Sequence, residues 1–488
     1  MGILSNLEPK SVWQYFEELT QVPRPSKKEE KVIEFLLKFG KEHNLETQRD
    51  QIGNILIKKP ASTGMENVKS VLLQSHMDMV CEANRDTKID FDNDPIKPYI
   101  DGEWVKAKGT TLGADDGIGV AAQMAILTDN TLKHGPIECL FTIDEETGLT
   151  GAFEIQPGFF DSKILLNLDS EDEGEIFIGC AGGVDAVASF NFKNEPVPQN
   201  HKAFKITING LKGGHSGDEI HKGFGNSNKM ANRFLFQFSE KYNIRLANFD
   251  GGNKRNAIPR EAELVFTVES GITSEMLSSF VVLKNQIIKE IEITEPNINI
   301  KIEEIAVPTT VVDTLTQKNL TKALYACPHG VHAWSPAIEG FVETSTNLAS
   351  VKFDENKINV VTSQRSSVDS GKTDINNMVR CVFELAGANV ESGDGYPGWA
   401  PNPKSEILTI AENSYNKLFG KKPVVRAIHA GLECGLFLEK YPDLDMISFG
   451  PTLRGVHSPD EKIEIKTVQM WWKHLIDVLE NIPSKENS

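Results

Sequence analysis

Positive charge is scarce in this chain: 51 lysines and arginines stand against 69 aspartates and glutamates over 488 residues, a formal net charge of -18. Such a chain repels phosphate backbones and offers anionic lipid no polybasic patch, which argues against nucleic acid and against a membrane surface as partners. Long apolar runs are missing too, so no segment reads as a membrane span. The opening MGILSNLEPK lacks the apolar core of a secretory signal, and Asn6 stands where a myristoylation signal wants Ser or Thr. The six cysteines, Cys81, Cys139, Cys180, Cys327, Cys381 and Cys434, form no CxxC pair. That removes a dithiol redox or zinc-ribbon site, and the cysteines read as reduced thiols of a cytoplasmic protein. There is no HExxH and no P-loop, and GGHSGDE puts its serine out of register for a GxSxG elbow.

The length predicts two or three domains. In SVWQYFEELTQVPRPSKKEEKVIEFLLKFGKEHNLE, apolar residues recur every three or four positions on either side of Pro23 to Pro25, which predicts two amphipathic helices. NILIKK, VLLQSHMD, IECLFTIDEE and KILLNLDSE are short apolar runs separated by helical stretches such as GIGVAAQMAILTD. They predict an α/β domain with a mostly parallel, buried sheet flanked by helices. Near residue 185 the pattern turns to alternating strands, AVASFNFK and AFKITING, then a helix around NKMANRFLFQFSEKY, then AELVFTVES. This is the pattern of an α+β insertion. It closes at ANVESGDGYPGWAPNPKSE, read as a linker for its glycines and prolines, and the chain then returns to the first domain. The predicted partition is 1–184, 185–394 and 395–488.

The candidate chemistry lies at strand ends. His76 and Asp78 follow VLLQS, Glu145 and Glu146 follow LFTID, Asp169 follows ILLNL and His457 follows MISFGPTLRGV, while GTTLGADDGIGVAA brings Asp115 and Asp116. Ligands of open α/β sheets gather outside the carboxyl ends of the strands, so these groups are predicted to converge. Each has an ordinary alternative: a structural histidine at His76, a turn residue at Asp78, a solvated helix start at Asp144 to Glu146, and a capping-box SPDE after His457. Together, so many like charges at buried strand ends would repel strongly without a cation. Imidazoles and carboxylates without thiolate suit zinc, or manganese and cobalt. Five ligands exceed what one tetrahedral catalytic zinc takes, and two ions about 3.5–4 Å apart sharing a carboxylate fit better. DSEDEGEIFIGC starts like a calcium loop, but Cys180 stands where the closing glutamate belongs.

SHMDMV, TLGADDGIGVA, IDEETGLTGA, LNLDSEDEGE, GGHSGDEIHKG, RNAIPR, HAGLECGLF and GVHSPDE, in this order, make the chain resemble the cytosolic Xaa-His (aminoacylhistidine, or cytosol non-specific) dipeptidases of the M20 metallopeptidases. The resemblance implies a zinc-exopeptidase-like catalytic domain carrying two Zn2+ per chain, with Mn2+ or Co2+ as substitutes, and an inserted lid through which a homodimer forms. It implies that Asp115 bridges the metals, that His76 and Asp169 complete one site and Glu146 and His457 the other, and that Glu145 is the general base. Asp78 would orient His76, and Asp116 is left as a helix cap. The implied substrate is a small peptide, preferentially an Xaa-His dipeptide.

Three residues of the insertion, His215 in GGHSGDE, Asn256 in RNAIPR and Arg365 in TSQRSS, read by themselves as surface features. Under the resemblance His215 and Asn256 become donors to the oxyanion or substrate, and Arg365 a clamp on the free C-terminal carboxylate. His429 and Glu433, four residues apart, either share a helix face lining the substrate pocket or have His429 merely starting the helix.

Overall fold

Residues 2–485 are described by a computed structural model. They fall into two compact units. The first runs from the N-terminal stretch through Gly179 and adds Pro401–Ala427 and the chain from Leu432 onward; the second is Cys180–Ala400 with Ile428–Gly431.

In the first unit the opening helices form over Lys10–Leu19 and Glu30–Glu42, burying Val12, Trp13, Phe16 and Leu19 in one and Val32, Ile33, Leu36 and Phe39 in the other, the three-and-four spacing seen in the sequence. Eight strands build the main sheet in the order Glu46–Arg49, Ile55–Lys59, Ile137–Thr142, Val71–His76, Ile164–Asn167, Asp445–Ser448, Glu175–Cys180, Val424–Ile428. The four central strands, from Ile137–Thr142 to Asp445–Ser448, pair in parallel. Antiparallel pairs flank them, so the sheet is mixed and its parallel character is confined to the centre. The central runs IECLFT, VLLQSH and ILLN are buried at every position, as strands covered on both faces must be. Helix Ala114–Thr128 is buried nearly throughout and therefore carries no polar face. Parallel pairing sends the carboxyl ends of the four central strands to one edge.

A second, four-stranded sheet joins Leu453–Arg454, Lys462–Glu464, Trp104–Ala107 and Pro98–Asp101. Its elements are too short to leave a periodic signature, yet its hairpin Leu453–Arg454/Lys462–Glu464 presents the loop that carries His457.

The second unit is α+β. Nine strands form its sheet, with the long antiparallel pair Val342–Asp354 and Lys357–Ser366 near the middle. Helices including Ser227–Tyr242 and Thr273–Ile291 contribute Phe234, Phe238, Phe280 and Leu283 to the same core as Phe204, Phe249 and Phe266 of the sheet. The first strand starts at Gly182 rather than near 185, because Gly182 and Gly183 carry no alternation to read. The glycine- and proline-rich stretch is packed rather than a free linker: Tyr396 bridges to Gly183, Trp399 to Cys180, and Trp399 is buried. Among the described residues no helix is long and apolar enough to cross a membrane.

His474, on helix Ile465–Glu480 of the first unit, donates from Nε2 to the Ala411 carbonyl at 2.9 Å between Tyr415 and Phe449. Burial lowers its pKa to about 4. The unfolded imidazole, near 6.5, binds its proton first as pH falls, so stability attached to neutral His474 is present above about 6.5 and lost on the way down through 4. The urea midpoint of the wild type should therefore fall more steeply between pH 6.5 and 4 than that of His474→Phe, and parallel slopes would contradict this.

Candidate metal centre and substrate cluster

The strand ends of the first unit deliver their acids and imidazoles to common ground. His76 closes strand Val71–His76, and Glu145 and Glu146 open a helical turn after Ile137–Thr142, reached through Asp144 in a left-handed conformation (φ 48°). Asp169 follows Ile164–Asn167, and His457 also adopts a left-handed backbone (φ 60°) in its hairpin loop. Such angles are uncommon for non-glycine residues, though Asp and His adopt them more readily than most. Asp115 stands just inside helix Ala114–Thr128 with non-helical angles, its peptide bond to Asp116 cis.

Asp115 occupies the middle. Its Oδ1 lies 3.1 Å from His76 Nε2 and its Oδ2 3.2 Å from His457 Nε2, so each carboxylate oxygen faces a different imidazole. His76 Nε2 is also 3.8 Å from Asp169 Oδ1, and His457 Nε2 is 2.9 Å from Glu146 Oε2. Ligand atoms of His76, Asp115 and Asp169 lie within 4.8 Å of one another, as do those of Asp115, Glu146 and His457, and those of His76, Glu145 and Glu146. Asp78 is buried beneath. Its Oδ1 is 3.3 Å from His76 Nδ1, off the line of a hydrogen bond, and its carboxylate accepts from Ser26 Oγ and from the Glu145 and Glu146 amides at 2.7, 3.0 and 3.3 Å. It therefore sets the Glu145–Glu146 turn as well as facing His76.

The electrostatics are those of a site short of positive charge. No lysine or arginine pairs with Asp115, Glu145, Glu146 or Asp169 among the described residues. Burial acts to lower the pKa of His76, but Asp169, Asp115 and Asp78 outweigh it and raise the imidazole well above its usual value. Hydrogen bonds to Asp115 and Glu146 lift His457 to about 11. Burial raises Glu145 and Asp169 well above the carboxylate range, with His76 opposing in both. Asp115 is depressed, because the two imidazoles overcome its burial. Glu146 Oε1 is buried with no hydrogen-bond partner among the described residues. Oxygen and nitrogen donors in two overlapping triplets fit divalent ions that accept carboxylate and imidazole.

One residue of this centre, Arg24, escaped the sequence, and another, Glu433, has a place other than the one expected of it. Arg24, buried, donates to the carbonyls of Met77, Asp78 and Gly113 and so ties the His76 loop to the Asp115 loop. Glu433 is buried under the strand ends, accepting from Gln74 Nε2 at 2.6 Å and Thr142 Oγ1 at 2.9 Å, and burial pushes its pKa up to about 7. Arg24 belongs to none of the quoted motifs; Glu433 lies in HAGLECGLF, but its place under the strand ends depends on Gln74 and Thr142, far away in the chain. Asp116 is buried with its carboxylate close to Gly119, and burial raises its pKa well above the carboxylate range. SPDE after His457 starts no helix; the next regular element is strand Lys462–Glu464.

In the second unit His215, Arg365 and His429 come together: a Cβ on Gly217 would meet the His429 carbonyl, the His215 ring and the Arg365 side chain at once. His215 Nδ1 accepts from the Asp218 amide at 3.1 Å, which leaves Nε2–H as a donor, and burial followed by Arg365 lowers its pKa. His429 Nε2 is engaged by Ser345 Oγ at 2.7 Å, and burial, Arg365 and His215 lower it to about 3. His429 precedes the helix that begins at Glu433 and lies in the other unit from it, so these two share no helix face. Asn256 is exposed, on the loop whose carbonyl accepts from Ser216 beside His215. Arg365 is 7% exposed, donates from Nη1 to Tyr396 Oη at 3.2 Å, and leaves Nε unpartnered. No carboxylate pairs with it among the described residues. A buried guanidinium without a counter-ion has the chemistry to receive an anion.

Residues 72–481 match the pattern of peptidase family M20/M25/M40. The chain is 45% identical over 486 residues, 99% of its length and all of the relative's, to the cytosol non-specific dipeptidase of Escherichia coli strain K12. The crystal structure of aminoacylhistidine dipeptidase from Vibrio alginolyticus superposes with a TM-score of 0.94 at 46% identity, over 99% of both chains. Aminopeptidase PepT from Bacillus cereus shares the fold alone, with a TM-score of 0.57 at 16% identity over 98% of this chain and 99% of that one. A family pattern over most of the chain and full-length relatives near half identical settle its place: this protein belongs to peptidase family M20/M25/M40, a metallopeptidase family.

Proposed function

We propose that this chain is a dinuclear zinc dipeptidase that cleaves dipeptides broadly and Xaa-His dipeptides preferentially, in the cytoplasm. The observation that carries the reading is the position of Asp115, one oxygen toward each imidazole. His76 and Asp169 would hold one ion, Glu146 and His457 the other, and Asp115 both; manganese or cobalt would suit the same donors. When bound, the ions polarise the peptide carbonyl and lower the pKa of water toward about 7. Glu145, held at the site by the hydrogen bond its backbone amide donates to Asp78, takes a proton from the attacking water. Water oxygen bonds to the carbonyl carbon, the C–N bond breaks, and Glu145 returns the proton to the departing amine.

His215 and Asn256 donate to the oxyanion or substrate, and His429, bound to Ser345, shapes the wall beside them. Arg365 receives the free C-terminal carboxylate, which would favour short peptides over internal bonds. Tyr396 steadies its fork, so Tyr396→Phe should raise KM for dipeptides by about two- to tenfold, the worth of one hydrogen bond, with kcat little changed. An unaltered KM would remove Tyr396 from the receptor. The homodimer rests on the family resemblance, and a sedimentation mass of one chain would refute it. The names of the Escherichia coli and Vibrio relatives support the substrate class, and the first supports the location. Hydrolysis of β-alanyl-histidine and Gly-His, with little action on N-acetyl amino acids, is the expected panel; activity confined to the last would make the protein a deacylase instead.

A further inference from the structure

The loop that carries Asp115 is anchored by a residue from the far end of the chain. Helix Ala114–Thr128 begins with backbone amides that have no partner inside the helix, and at most helix starts a nearby side chain or water takes them. Here a single carboxylate takes two of them, those of Ala114 and Asp115, together with the two amides before the helix. Glu461 Oε2 accepts from the amides of Leu112 and Gly113 at 2.7 and 2.9 Å, and Oε1 from those of Ala114 and Asp115 at 2.7 and 3.3 Å. Four successive amides point one way because Gly113 is left-handed (φ 70°), the turn that makes an anion nest. Gly113 has a second reason to lack a Cβ, which would run into Arg24 and Met79. Glu461 is 2% exposed, so water does not compete for the nest.

The other end of this bracket is the His457 loop. Gly455 reverses the chain (φ 67°), Ser458 Oγ donates to the Gly455 carbonyl at 2.7 Å, and the Glu461 amide donates to Ser458 O at 3.0 Å. His457 itself is half-exposed, so little packing holds its ring, and the loop backbone sets where it stands. We infer that Glu461 is a positioning residue for the metal centre, fastening the His457 loop to the Asp115 loop so that both present their donors to the same ion. The inference rests on the two-ion reading given above. It also gives Arg24 a counterpart: the guanidinium collects carbonyls and the carboxylate collects amides of the same Gly113 turn. A carboxylate is needed, because a glutamine amide would turn two hydrogens toward N–H groups that are themselves donors.

Zinc titration of the metal-free, full-length protein tests this, with circular dichroism to verify folding. The wild type should take up two equivalents. Glu461→Gln should bind one of them at least about tenfold more weakly, the scale of lost outer partners of metal ligands. The control is Glu295→Gln in the second unit, where a buried carboxylate likewise accepts backbone amides, from Lys212 and Gly225. It should lower the melting temperature and leave both zinc affinities as they were, which a merely structural role for Glu461 would match. Glu461→Asp keeps the charge but withdraws it by one methylene, and carries the same expectation if the glutamine variant does not fold. A wild type binding two equivalents and a folded Glu461 variant binding both as tightly would overturn the inference alone. A wild type that binds fewer than two would overturn the two-ion reading and this inference with it.

Discussion

Glu145→Ala should retain two metal ions per chain and lose at least about a hundredfold in kcat on Gly-His, the scale of a general-base contribution. Of the acids in the three triplets around His76 and His457, Glu145 is the one outside the proposed ligand set, and Asp78 fixes its backbone. Removing its carboxylate takes away the group that accepts and returns the proton but none of the donors in the two triplets built on Asp115. Elemental analysis and turnover on one preparation separate the cases. Near-normal turnover would mean that another group is the base. Loss of metal together with turnover would mean that Glu145 is a ligand, a role its proximity to His76 and Glu146 also permits.

The second large effect is expected at Arg365. Arg365→Ala should lower kcat/KM for dipeptides by roughly 10- to 150-fold, as for a lost charge-assisted hydrogen bond of about 1.5–3 kcal/mol. The corresponding dipeptide amides, which lack the free carboxylate, should change far less. Arg365→Lys should recover only part of the loss, since an ammonium cannot offer the paired donors of a guanidinium fork. The physical ground is the unpaired state of this side chain: buried, without a carboxylate, and anchored by Tyr396 at one nitrogen only. Equal losses on acids and amides would show that Arg365 supports the unit rather than the substrate.

The central strands were legible because their apolar runs end abruptly in acids and imidazoles, and parallel pairing turns four such endings into one edge. The inserted unit was legible from its switch to alternation. Less visible were the two-residue and three-residue strands that present His457, and the packing of Tyr396 and Trp399 in a stretch whose glycines and prolines imitate a linker. SPDE shows the limit of local reading most clearly. Its glutamate does serve a helix start, but that of a helix some 346 residues earlier in the chain.

By itself, the order of residues determined the α/β and α+β layout, the family and the set of groups able to meet a metal, since these follow from hydrophobic period, strand endings and motif identity, which are local. Only the tertiary structure decided how Asp115 divides its oxygens between two rings, which buried charges brace it, that His429 and Glu433 part company, and that Arg365 lacks a counter-ion. Those depend on distances between segments hundreds of residues apart, and the free energy of a buried charge is set by what lies within a few ångströms of it, whatever its neighbours in sequence.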